Sequence, residues 1–193
     1  MTKSIITFVL GAGLLSVAFQ AGFLTEQKKF ERVRVAIREK QNIVEASLKN
    51  YRVSPDQLNL LLVAYKDSDQ LDVYAKNVRD TGYQKILSYE ICARSGKLGP
   101  KKHEGDEQVP EGFYHIDRFN PTSSFYLSLG INYPNLSDKR NNNTANPGGN
   151  IFIHGSCVTI GCLPMTESSN KEKYLMAVYA RNSGQSKIPV YIF

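Results

Sequence analysis

One stretch of the chain, 151–166 (IFIHGSCVTIGCLPMT), holds His154, Cys157 and Cys162, half of all the cysteines and histidines in 193 residues. A thiol with a pKa of about 8.5 is mostly protonated at neutral pH, and an imidazole that takes its proton makes it a nucleophile. His154 is the acceptor for Cys162. The amides of Gly161 and Cys162 can face the oxygen of a carbonyl under attack and stabilise the charge of a tetrahedral intermediate. These groups suffice for acyl transfer by a thiol. Three other readings use the same residues. His154 and Cys162 can be unrelated core residues. His154, Cys157 and Cys162 can be metal ligands, or Cys157 and Cys162 can form a disulfide that removes the nucleophile. Zinc sites show four ligands at short paired spacings, and Cys92, His103 and His115 add no such pair, so no metal or organic cofactor is expected.

The apolar run 151–153 leads straight into His154 and Gly155, which places the imidazole at the end of a buried strand where a glycine turns the chain. Around it, 58–65 and 71–76 are apolar-rich and separated by the polar 66–70, the pattern of a hairpin. Further strands are predicted over 86–93, 111–119, 125–132, 151–154 and 188–193. Glycine and proline punctuate this mainly β set as a sandwich or barrel requires, with helices flanking it, and parallel βαβ organisation is disfavoured. One later helix, 168–182, carries Tyr174, Leu175, Val178 and Tyr179 on its apolar side, and Gly184 follows its end. Upstream, 25–50 is charged, lacks proline and glycine, and spaces Phe30, Val33, Ile37, Val44 and Leu48 as one amphipathic helix that packs on the catalytic part. Ser54 and Pro55 mark a boundary.

Residues 1–24 have Lys3 ahead of an apolar stretch and small residues at 16–18, the layout of a secretory signal cleaved after Ala18 or of an uncleaved membrane anchor. Either delivers the rest outside the cytoplasm, to the periplasm or cell envelope. The predicted organisation is a signal or anchor (1–24), a helical segment (25–57) and one catalytic domain (58–193). The formal charge of +6 becomes +5 without Lys3, a modest basic bias that suits an anionic polymer or simply solubility. Basic residues are spread without aromatic interleaving, so nucleic acid is excluded as a partner. Glycines and prolines crowd 96–110, a long ordered loop or flap that contains His103, Asp106 and Glu107. His115 lies on a strand. The loop 141–150, rich in asparagine and just before the His154 strand, could close over the site.

The sequence H-G-S at 154–156 followed by T-I-G-C at 159–162 resembles the L,D-transpeptidase catalytic domain (YkuD-like), whose signature is an H-G step and then [ST]-H-G-C. Ile160 stands where the commoner signature has a second histidine and Pro164 where it often has arginine, and the compact spacing is that of the YafK-like branch. The runs 95–102, 105–114 and 125–135 also resemble that branch, so the likeness extends over 58–193. It implies a β-sandwich or barrel in which Cys162 attacks a carbonyl beside a diaminopimelate-type residue of a peptidoglycan stem peptide and forms a thioester. His154 is then the base, the Gly155 carbonyl orients its ring, and Gly161 and Cys162 form the oxyanion hole. An amine acceptor gives a crosslink or attaches a wall-bound lipoprotein, and water gives hydrolysis of such links. A non-catalytic wall-binding module on the same fold is the competitor. Tyr133, Asp138, Arg140, Ser156 and Thr159 are the substrate-contacting candidates. With Cys162 as nucleophile, Cys92 and Cys157 are left over, and an oxidising compartment allows them to pair.

Overall fold

Eight strands form a single mixed sheet in the order β3-β2-β1-β8-β4-β5-β6-β7, curled as a half-barrel with helices flanking it. The computed structural model describes residues 22–142 and 144–193. The predicted signal or anchor therefore lies outside the described residues as far as residue 21. The first helical segment is broken in two, α1 (Gly22–Gln27) and α2 (Glu31–Asn50). A short 3-10 turn (Pro55–Gln57) starts at Ser54 and leads into β1 (Leu58–Tyr65).

The predicted hairpin pairs β1 with β2 (Gln70–Asn77) antiparallel over eight positions, from Leu58↔Asn77 to Tyr65↔Gln70. Period-two alternation decides which face is buried: Leu58, Leu60, Leu62 and Ala64 of β1 and Leu71, Val73 and Ala75 of β2 are fully enclosed. β3 (Gln84–Glu90) extends the hairpin, and β8 (Ile188–Ile192) pairs parallel to β1 on its other side. Parallel pairing occurs again between β6 and β7. Two of the strand contacts thus depart from the expected antiparallel set, because each joins segments that a helix or a long loop has already brought alongside.

β4 (Gly112–Asn120) follows β8, and β5 (Ser128–Ile131), β6 (Phe152–His154) and β7 (Leu163–Pro164) complete the sheet. The strand predicted over 125–132 is shorter at its start, since Tyr126 and Leu127 take left-handed φ values of 56° and 52° and turn the chain. A helix, α3 (Leu136–Asn141), was not foreseen, although Asn135 and Asp138 form a capping box at its start. The last helix, α4 (Glu167–Asn182), lies under the sheet and is buried from Tyr174 to Ala180. The Thr166 hydroxyl accepts from the Ser169 amide at its start. At its end Gly184 takes φ 102° and the Gln185 amide returns to the Ala180 carbonyl at 3.0 Å. α2 packs on α4 and touches β3, burying Val33, Ala36, Val44 and Leu48, with ion pairs Lys40–Glu172 and Lys171–Glu39 at the seam with α4.

Candidate active site

His154 ends β6 with its ring 2% exposed. On the same strand Ile153 is fully buried in the core, so alternation sends Phe152 and His154 to the opposite face. The parallel register Ile153↔Leu163 then sets Cys162 beside Phe152, on that same face. Thiol and imidazole thus share one wall of a cleft of about 600 Å³, which is also lined by Phe125, Ser128, Asn150, Val158 and Ile160.

The imidazole Nδ1 lies 2.5 Å from the Gly155 carbonyl oxygen, and this contact makes Nδ1 the donor and leaves the Nε2 lone pair for the cleft. Burial lowers the pKa of His154, while the Gly155 carbonyl pulls the other way. The ring is therefore neutral at pH 7 and can act as a base. Burial raises the Cys162 thiol above its ordinary value, against the opposing Phe152 amide and Lys101 ammonium. The Phe152 N–H donates to Sγ at 3.4 Å, and the thiol donates to the Asn150 carbonyl at 3.8 Å. The resting pair is a neutral thiol and a neutral imidazole, so the proton moves during attack rather than before it.

Two glycines are required here by contact as well as conformation. A Cβ on Gly155 would meet the Tyr126 carbonyl at 3.0 Å, and Gly161 combines φ 125° with a Cβ contact of 3.2 Å to the Gln108 carbonyl. The loop between them is anchored by a disulfide joining Cys92, just after β3, to Cys157, while Cys162 is free. Neither the Cys157–Cys162 bridge nor the use of Cys157 as a metal ligand is compatible with that bond. Among the described residues no group of three His, Cys, Asp or Glu side chains could hold a metal ion.

The remaining predicted residues fall in different places. Thr159 lines the cleft, but its hydroxyl accepts from the Gly161 and Cys162 amides at 3.2 and 2.7 Å and donates to the Cys162 carbonyl at 2.9 Å. The two amides expected to receive an oxyanion are thus engaged within the turn. Ser156 sits in the loop at a left-handed φ of 69° and does not line the cleft. Tyr133 is buried and donates to the Pro147 carbonyl at 3.0 Å, and burial, with Asp138 next, pushes its hydroxyl up to about 12. Asp138 accepts from the Asn135 amide and the Tyr114 hydroxyl, at the start of α3, and lines a separate groove; Arg140 is exposed on the same helix. None of these three lines the cleft beside Cys162: Asp138 and Arg140 lie on α3, and Tyr133 packs just before it. His103 is exposed in the flap, and His115 faces another surface depression.

Sequence reading missed two supports. Lys173, fully buried in α4, donates to the Asn170 side-chain oxygen at 2.6 Å and to the Met165 sulfur at 3.3 Å. Asn170 in turn donates to the Tyr126 and Leu127 carbonyls, Tyr126 accepts from the Gly155 amide, and Met165 donates to the His154 carbonyl at 2.8 Å. Burial holds the Lys173 amine far below its ordinary pKa, and it is enclosed with two acceptors, the Asn170 side-chain oxygen and the Met165 sulfur. The other is Arg118, on the sheet beside Phe152. A lone lysine in an apolar helix face and a glycine in β5 were the signals available for these.

Residues 60–190 match the model of the YkuD L,D-transpeptidase catalytic domain. The chain belongs to this family. Over 131 residues this L,D-transpeptidase domain is 37% identical to the "Putative L,D-transpeptidase YafK" of Escherichia coli (strain K12). The aligned part is 67% of this chain and 51% of YafK, so the chain spans about half the length of the curated relatives it matches. Among solved structures, the helical cell shape determining protein Pgp2 of Campylobacter jejuni is similar at 25% identity and a TM-score of 0.53, over 77% of this chain and 54% of Pgp2. Bd1075 of Bdellovibrio bacteriovorus is similar at 27% identity and a TM-score of 0.50, over 72% of this chain and 49% of that one.

Proposed function

We propose that the protein is an exported, cysteine-dependent L,D-transpeptidase that acts on diaminopimelate-containing stem peptides of peptidoglycan. The observation that carries this reading is a free thiol and a neutral imidazole on one face of β6 and β7, with Nε2 open to the cleft. His154 Nε2 takes the proton from Cys162 as sulfur adds to the carbonyl carbon of the stem peptide. Collapse of the tetrahedral intermediate breaks the amide bond, and His154 returns the proton to the departing amine. The acyl group remains as a thioester until an amine, or water, attacks it and restores the thiol. The oxyanion is received by the Gly161 and Cys162 amides once the Thr159 hydroxyl releases them.

Export, by a signal or anchor within 1–24, is supported by the Cys92–Cys157 disulfide, a bond that persists in oxidising compartments. The engaged amides favour a second reading, a non-catalytic wall-binding module. Incubation with defined tetrapeptide muropeptides, followed by mass analysis of protein and products, separates the outcomes. An adduct on Cys162 with crosslinked dimers means transfer, and an adduct with tripeptides alone means hydrolysis. A protein that retains the peptide but never gains mass is a binding module.

A further inference from the structure

The register aligns Arg118, Gly130 and Phe152 in one row across β4, β5 and β6, and Cys162, the residue before β7, lies next to Phe152, whose N–H donates to its sulfur. We propose that Arg118 binds a free carboxylate of the acyl-donor peptide and so selects which peptides are acylated, a role that rests on the acyl-transfer reading above. Three features of the backbone place the guanidinium. A bulge between Ile116 and Arg118 turns the arginine to the cleft side of the sheet while Ile116 and Phe119 pack on the core. Gly130 has no side chain, and a Cβ there would meet Arg118 Nε at 2.9 Å and Phe152 Cε1 at 3.1 Å. Arginine therefore lies flat across the glycine, with Cζ 4.9 Å from the centre of the Phe152 ring.

The guanidinium is held but not saturated. Nε donates to Asp117 Oδ1 at 3.1 Å and Nη1 to Asn150 Oδ1 at 3.0 Å. Among the described residues Nη2 has no partner, and the side chain is half exposed. Asn150 is also the residue whose carbonyl accepts from the Cys162 thiol, so a single residue links cation and nucleophile. The cleft wall carries no charged side chain. Arg32, which also reaches that wall, is committed to the Ser123 carbonyl. An anionic group on a bound peptide thus meets the unpartnered Nη2 of a guanidinium whose other nitrogens are already held by Asp117 and Asn150, a charge-assisted donor for a carboxylate oxygen at the rim. Phe152 neighbours Cys162 across one strand pair, which puts the guanidinium roughly 5–10 Å from the sulfur. That separation suits a carboxylate at the far end of a long side chain on the attacked residue better than the carboxylate of the departing residue, which adjoins the scissile bond.

Three donor peptides test the assignment: one with both carboxylates free, one amidated at the side chain and one amidated at the C-terminus. Thioester formation on Cys162 is followed by mass for the wild type, Arg118→Gln and Arg118→Lys. Amidation of the side chain is expected to lower kcat/KM of the wild type about 10- to 100-fold, the range of a charge-assisted hydrogen bond. In Arg118→Gln that ratio collapses toward one, and Arg118→Lys retains part of it, because charge survives while the fork is lost. A collapse seen only with the C-terminal amide also supports the anchor and assigns it to the departing residue. Equal discrimination in wild type and Arg118→Gln, or none in either, overturns the proposal. Absence of any adduct would sink the acyl-transfer reading instead. The affinities of Cys162→Ala and of Cys162→Ala with Arg118→Gln for the same peptides then decide: a carboxylate preference that disappears with the arginine upholds the anchor, and one that persists removes it.

Discussion

The two halves of the sheet are held by different means. On one side β1 and β2 pair over eight residues each, and β3 and β8 continue the ladder. On the other side β5, β6 and β7 have four, three and two residues, too few for main-chain pairing alone to fix them. What replaces the ladder there is side-chain chemistry. The disulfide ties Cys157 to the segment after β3, and Lys173 and Asn170 brace the chain on both sides of His154 from below. Two buried lysines hold the flap: Lys66 donates to the Gly99 and Val109 carbonyls and the Glu111 carboxylate, and Lys101 pairs with Asp106. Although burial opposes it, Lys101 and three amides keep the Asp106 carboxyl well below the usual carboxylate range. The scaffold half is stabilised by area and the catalytic half by individual bonds, so damage to each should be read out differently.

The sharpest separation comes from His154→Ala. Acylation of Cys162 is expected to fall by about 10²–10⁴-fold, the usual worth of a general base, while the melting temperature changes little. Mass-resolved adduct formation and thermal unfolding measured on one sample check both halves of that statement. Leu62→Ala is the converse. Emptying a fully buried position in β1 should cost about 2–5 kcal/mol in urea unfolding and leave the pH profile of Cys162 alkylation where it was. A shifted profile would mean that the two halves are coupled. That wild-type profile should rise with pH through values above the ordinary thiol pKa, because burial raises Cys162; a plateau extending into acid would instead reveal a preformed thiolate–imidazolium pair.

Replacing Cys92 and Cys157 together by alanine opens a bridge spanning 65 residues and should lose about 2–4 kcal/mol. Hydrogen exchange should report the loss first in the loop around residues 156–161 and last in β1. The last test concerns Lys173. In the unfolded chain a lysine holds its proton up to about pH 10.4, whereas the buried amine releases it far lower, so between those values the unfolded state carries one more proton. Stability from this group therefore rises with pH, by about 1.4 kcal/mol per pH unit, and is lost as pH falls. Urea unfolding of wild type and Lys173→Met from pH 7 to 9 should differ by that slope. Parallel lines would show that the amine is charged in the folded protein.

The scaffold half was legible because its signals are local. The apolar runs 58–65 and 71–76 name the strands, and the polar link between them gives a hairpin. The N-terminal helix and α4 declare themselves by period, and α4 also by the glycine after its end. The catalytic half was legible only at His154, Gly155 and Cys162, where a strand end, a turn and a thiol fall within nine positions. A two-residue strand such as β7 has no periodicity to read. Charge alone singled out Asp138 and Arg140 in the sequence, and the capping box that sets them on α3, outside the lining of the Cys162 cleft, was not read from it.

By itself the sequence determined which residues can carry the chemistry, since a thiol, an imidazole and their glycines are properties of residue type and close spacing. Only the tertiary structure decided what surrounds them. The pairing of distant strands brought Arg118 and Cys162, 44 positions apart in the chain, to either side of Phe152, and the packing of α4 put a buried amine beneath His154. Such contacts follow from how distant segments pair, and no local pattern encodes the partner.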